Sequence, residues 1–183
     1  MTTAGKLCAL ICALCGTALH FAWGWMGRPR WLAPLLAVSE SIWEHTKLLT
    51  VPVLGLLPLY GRLLGLSQDR VMGAGLEGLL WGIGAMVVGF CVWEGAVAPH
   101  NLWVGVGDFL LSVLVCWYRT EYLLATGGGF GRWQYWLAGI GVCLVLFTWS
   151  PPRLRIFRCP VTDRYGLKSK SPRTGAFAEK ADQ

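Results

Sequence analysis

The chain reads as an all-α protein, a polytopic transmembrane helical bundle of five spans. Three observations carry that reading. Of 183 residues, 55% are hydrophobic and only 14% charged, whereas soluble domains carry about 25% charged residues. Apolar runs long enough to cross a roughly 30 Å hydrocarbon core recur along the chain. Those runs are continuously apolar rather than alternating, which argues against a β-barrel.

The first span is Leu7–Met26. Lys6 followed by an apolar core suggests a signal peptide, but the apolar stretch continues through Phe21, Trp23 and Trp25 with no small-x-small cleavage site, so it is expected to be retained. Span two is Leu48–Leu66, with its helix starting near Ser41, and span three is Val71–Ala98, whose 28 residues require tilt or protrusion. Spans four and five are Leu102–Leu124 and Trp133–Trp149. Tryptophan, which favours the interface, brackets them. Trp23, Trp25, Trp31, Trp43, Trp93, Trp103 and Trp149 mark one face, Trp117, Trp133 and Trp136 the other, and Trp81 falls inside a span. Residues 1–150 thus form one membrane domain. Residues 151–183 form a basic tail, expected to be disordered beyond Lys168.

Lys and Arg placement sets the expected orientation. The face with the N-terminus carries five (Lys6, Arg62, Arg70, Arg119, Arg132), and the face with the C-terminus carries eleven, eight of them in the tail. The positive-inside rule then puts the N-terminus outside and the C-terminus in the cytoplasm. The net charge of +6 is nearly all tail. A basic cluster directly after a span fits anionic lipid head groups. Nucleic acid is not expected as a partner, because the tail has few aromatics and no binding module. Seven cysteines lie mostly in spans, and an odd number argues against a disulfide scaffold. Cys8, Cys12 and Cys15, at i, i+4 and i+7, suit small residues packing on a neighbouring helix. Gly61-x-x-x-Gly65 and Gly78-x-x-x-Gly82 allow close helix approach. The Gly127–Gly131 loop lacks the Lys-Ser/Thr of a phosphate loop and is read as a turn.

Polar residues gather at one end of the bundle. Ser39–Lys47 packs Glu40, Glu44, His45 and Lys47 into nine residues against span two. Charged groups in a bilayer usually face a partner or water. Span alternation places His20, Glu94, His100 and Asp108 in the same leaflet, leaving Glu77 and Glu121 opposite, with Arg62 and Arg119 available to neutralise them. Helical spacing puts Glu40, Glu44 and Lys47 on one face and Ser41 with His45 on a second. Ser41-x-x-Glu44 also fits a capping box. The candidate binding residues are therefore Glu40, Glu44, His45, Lys47, Asp108 and His20, and the candidate metal ligands His20, His45, His100 and Asp108.

The Ser39–Lys47 stretch, followed by Pro52, resembles a motif of the form Asn-Glu-Ser-x-Trp-Glu-His-x-Lys. That motif marks an uncharacterised family of small bacterial multi-pass membrane proteins. His20-Phe21 resembles the family too, as does the chain end from Pro151-Pro152 through Phe157, Pro160, Thr162 and Tyr165-Gly166. Ser39 stands where the motif has Asn, and Cys159 where Asp is expected, which argues against a ligand role for Cys159. The resemblance implies a bacterial inner-membrane protein and supplies no activity.

The leading expectation is binding or translocation of a small polar ligand, cation or proton by Glu44, His45 and Asp108, in a hydrated cavity open to the cytoplasmic side. Five helices is small for a secondary transporter unless the chain forms a homo-oligomer. The alternatives are a structural or assembly protein and, less favoured, an intramembrane zinc-dependent hydrolase. Ser41-x-x-x-His45 faintly resembles ceramidase-type intramembrane hydrolases, but their paired His-x-x-x-His is absent. An enzyme is not the leading expectation.

Overall fold

The computed structural model describes residues 1–96, 102–162 and 164–168. Five long helices account for most of them: α1 (Thr3–Trp25), α2 (Ile42–Leu63), α3 (Gln68–Ala96), α4 (Leu102–Thr126) and α5 (Trp133–Trp149). Among the described residues there is no strand, only an isolated antiparallel bridge between Arg158 and Tyr165. The fold is all-α.

Local chemistry sets the helix ends. The Thr2 and Ser41 side chains accept the Gly5 and Glu44 amides, capping α1 and α2. Both helices end in a Schellman turn on a left-handed glycine, Gly27 at φ 73° and Gly65 at φ 63°. The closing bonds run from the Arg28 amide to the Trp23 carbonyl (3.0 Å) and from the Leu66 amide to the Gly61 carbonyl (2.9 Å).

Small residues decide how closely the helices approach. A Cβ on Gly78 would strike Thr120 and Cys116, and one on Gly82 would strike Ser112 and Cys116, so α3 and α4 lie nearly backbone to backbone. The buried stripe of α1 is Gly5, Cys8, Ala9, Cys12 and Gly16. Cys15, expected on that face, is exposed. The stripe advances by threes and fours and passes to Gly16 instead. Trp117, expected at an interface, is fully buried against Tyr60, with ring centroids 5.3 Å apart. An indole in contact with its own bundle has no need of the head-group region.

Among the described residues, two helices are long and apolar enough to cross a membrane: α1, and α3 over Gln68–Trp93. The 17 residues of α5 fall short of the roughly 20 a span needs. Polar and charged residues interrupt α2 and α4. Many large apolar side chains nevertheless point outward, among them Leu7, Leu10 and Leu14 of α1, Leu110, Leu111 and Leu114 of α4, and Val142 and Leu146 of α5.

The segment after α5 packs back on the bundle. Phe157 is buried, its ring 5.3 Å from Trp43 and 5.2 Å from Phe147, and Cys159 is buried beside it. The stretch beyond Lys168, expected to be disordered, lies outside the described residues.

Candidate functional site

After α1 the chain turns through a short 3-10 helix (Arg30–Leu32) and runs over the end of the bundle before entering α2. Ala33, Leu36 and Ala37 of this crossing are buried. Helix α2 starts at Ile42, with Ser41 as its cap. Only half of the expected capping box forms. The Ser41 hydroxyl takes the Glu44 amide at 3.4 Å, but the Glu44 carboxylate turns away and accepts the Val38 amide at 2.8 Å.

The reason is Lys47. Its ammonium lies 2.8 Å from both Glu44 oxygens, and the two side chains are 0% and 2% exposed. It also donates to the carbonyl of Ala33 (2.9 Å) and the hydroxyl of Thr148 (2.7 Å), with the Leu36 carbonyl at 3.4 Å. The Thr148 hydroxyl donates to the Leu144 carbonyl at 2.6 Å, so its oxygen can accept from Lys47. One buried cation thus ties the crossing segment, α2 and the end of α5 together. Neither charge faces solvent.

A second cluster forms one turn away. His20 of α1 and His45 of α2 place their rings 5.4 Å apart, centroid to centroid. Glu40 stands between them, one oxygen 3.7 Å from His20 Nε2 and the other 3.6 Å from His45 Nε2. Nitrogen and oxygen atoms of the three residues all lie within 4.8 Å of one another. Exposure is 40% for Glu40, 26% for His20 and 14% for His45. The His45 ring is oriented from behind. Its Nδ1 is 2.9 Å from the Ser41 carbonyl, and a carbonyl only accepts, so the proton of the neutral ring sits on Nδ1. That leaves the Nε2 lone pair on the side of Glu40. The face of His45 rests near Phe90, at 5.6 Å.

Helix approach brings the two histidines together. Pro52 has no amide to give the Leu48 carbonyl four residues back. A Cβ on Gly16 would collide with that same carbonyl and with Phe109, so the α1 backbone lies directly against it. Gly16 is four residues before His20 and Leu48 three after His45, and residues three or four apart share a helix face. The glycine-to-carbonyl contact therefore sets the spacing of the imidazoles above it.

Asp108 packs against Gly89 of α3, and its Oδ2 is buried without a hydrogen-bond partner. Glu94 falls in α3, and His100 lies outside the described residues. At the opposite end Arg119 donates to Glu77 at 2.9 Å and lies over the Trp81 and Tyr122 rings at 5.3 and 5.2 Å. Glu121 accepts the Tyr60 hydroxyl and the Thr2 amide, each at 2.8 Å, and the Thr2 hydroxyl. Two apolar grooves flank α3, of about 710 Å³ and 350 Å³. The first is lined by Glu77, Trp81 and Phe130, the second by Trp43, Thr46, Thr50 and Trp136. Neither is the polar cavity expected around the histidines. The histidine cluster is partly exposed at the surface of the bundle.

Sequence reasoning missed two contributors. Thr148 gives no signal, because a hydroxyl late in an apolar helix is unremarkable. Gly16 was visible as a small residue four before His20.

A family model described as a family of unknown function (DUF6512) matches residues 6–167. No curated protein matches the chain, and no solved structure does.

Proposed function

The chain belongs to the DUF6512 family, whose function is unknown, so its own residues must carry the reading, and we propose that it is a multi-pass membrane protein whose working element is a cation-binding corner made of His20, Glu40 and His45. The single supporting observation is the convergence of two imidazoles and a carboxylate from α1, the crossing segment and α2. Such donors suit a proton or a metal cation. The buried Lys47 network holds the segment that carries Glu40 and is itself structural. Solubilised full-length protein should melt at higher temperature with a cation that the corner takes, since a ligand bound only to the folded state stabilises it. Glu40→Gln should remove the response. Unchanged melting with every cation tried would sink this reading.

Five spans in a bacterial inner membrane complete the proposal, with the C-terminus and its basic tail at the cytoplasmic, anionic-lipid side. The outward apolar side chains of α1, α4 and α5 support it, because exposed apolar patches beyond a few hundred Å² are rare on soluble monomers. A reporter fused after Gln183 should read cytoplasmic and one before Met1 external. Both termini on one side would break the five-span count.

A structural role is the second reading, favoured by the Lys47 network, which links three segments without exposing a charge. A hydrolase using Ser41 is less favoured, because that hydroxyl is engaged in capping.

A further inference from the structure

We infer that the cation of this corner is zinc, held by His20 Nε2, His45 Nε2 and one Glu40 oxygen. The inference rests on the cation-binding reading above and narrows it to one metal and one geometry.

Spacing carries the first step. Zinc binds histidine nitrogen and carboxylate oxygen at about 2.0–2.2 Å. Donors about 2.1 Å from a tetrahedral ion stand about 3.4 Å apart, whereas adjacent donors of an octahedral ion stand about 3.0 Å apart. The two Glu40 oxygens lie one against each ring, 3.7 Å from His20 Nε2 and 3.6 Å from His45 Nε2, and the donor atoms of the three residues all fall within 4.8 Å of one another. These separations exceed hydrogen-bond length and sit near the edge of a tetrahedron, so the three side chains frame a gap of ionic size. A small rotation of Glu40, which is on the solvent side of the cluster, brings a single oxygen into range of both rings.

Chemistry carries the second step. Two imidazoles and one carboxylate are a zinc-type donor set, and hard ions such as calcium and magnesium prefer oxygen alone. Metal-bound histidines almost always donate their other ring N–H to a carbonyl, carboxylate or water, which fixes the tautomer. His45 already does so, to the Ser41 carbonyl at 2.9 Å. That carbonyl lies at the first turn of α2, so helix capping and ligand orientation depend on the same residue. The 40% exposure of Glu40 lets an ion reach the three donors from outside.

Asp108 and Cys159 are not part of this set. Asp108 packs on Gly89 of α3, and Cys159 is buried in the segment after α5.

The test uses the full-length chain, purified in detergent without a polyhistidine tag and titrated with Zn²⁺ alone, then with Co²⁺ as a spectroscopic probe. Equimolar zinc and the intense visible bands of tetrahedral cobalt are expected. His20→Ala, His45→Ala and Glu40→Gln should each weaken zinc by about 100-fold or more, beyond the roughly 10–100-fold that loss of a supporting hydrogen bond costs. Glu40→Gln is nearly isosteric and half exposed, so it keeps the test open if a histidine variant misfolds. Asp108→Asn should bind zinc as the parent does. Absent zinc binding, binding that survives all three substitutions, loss of binding in Asp108→Asn, or weak octahedral cobalt bands would each overturn the assignment. Stabilisation by Ca²⁺ or Mg²⁺ that needs Glu40, without zinc binding, would overturn zinc and leave the cation corner standing. No response to any cation overturns both.

Discussion

Glu40 and Glu44 are one helical turn apart in sequence, and each meets a nitrogen base. Glu44 meets Lys47 where both side chains are buried, 2% and 0% exposed, and every strong partner is internal. Glu40 meets His20 and His45 while 40% exposed, at distances too long for hydrogen bonds. The same residue type in the same motif is a structural tie in one case and an open donor in the other. What separates them is where α2 begins. Glu44 and Lys47 lie inside the helix and point to the crossing segment, whereas Glu40 precedes the cap and is free of the helical period.

Breaking the buried member should cost most. Lys47→Ala leaves the Glu44 carboxylate and the Ala33 and Leu36 carbonyls without their cation, and removing one partner of a buried pair costs about 3–5 kcal/mol. Chemical denaturation in detergent should show that loss. Glu44→Leu combined with Lys47→Met should recover much of it, since an apolar replacement of the whole pair is often close to neutral. A single variant within about 1 kcal/mol of the parent would mean that water reaches the site.

Gly16→Val tests the contact that joins the two regions. The added side chain meets the Leu48 carbonyl and the Phe109 ring, and overpacking typically costs about 1–3 kcal/mol. Forcing α1 off α2 also parts His20 from His45, so the cation response should weaken together with stability. Full cation response with lowered stability would show that the corner is not set by this helix contact.

These contrasts explain what was legible in the sequence. The helices were, because continuous apolar runs between turn residues leave little choice, and Trp133–Trp149 is the element expected. His20 and His45 were placed at one end because helix alternation dictates it, and they do approach. Glu40 was grouped with Glu44 and Lys47 by a helical spacing that stops holding beyond the cap at Ser41. Asp108 was assigned to the histidines by its depth in the span and by the cost of facing an acid to lipid. Depth does not fix rotation about the helix axis, and Asp108 turns to Gly89. Thr148 lies 101 residues from Lys47, a pairing that no local pattern encodes.

Ser41→Ala should have a smaller effect. It removes the hydroxyl that caps α2, for about 1 kcal/mol, while the backbone carbonyl that orients His45 remains. Cation response should therefore persist. Lost function with unchanged melting would instead favour a nucleophilic serine and the hydrolase reading.

Glu40→Gln should change stability least and bears most directly on the contrast. An exposed ion pair is worth about 0–1 kcal/mol, and Glu40 stands 3.6 and 3.7 Å from its neighbours with 40% of its side chain exposed. Without added cation the variant should therefore unfold within about 0.5 kcal/mol of the parent. With cation present the two should separate, because the amide keeps the shape but loses the charge that completes the donor set. Denaturation of both proteins, with and without a chelator, reads this directly. A fall of about 2 kcal/mol or more in the chelated sample would make Glu40 a latch between α1 and α2, equivalent in kind to Lys47. The two acids would then differ only in depth, and the corner would have no ligand to explain it.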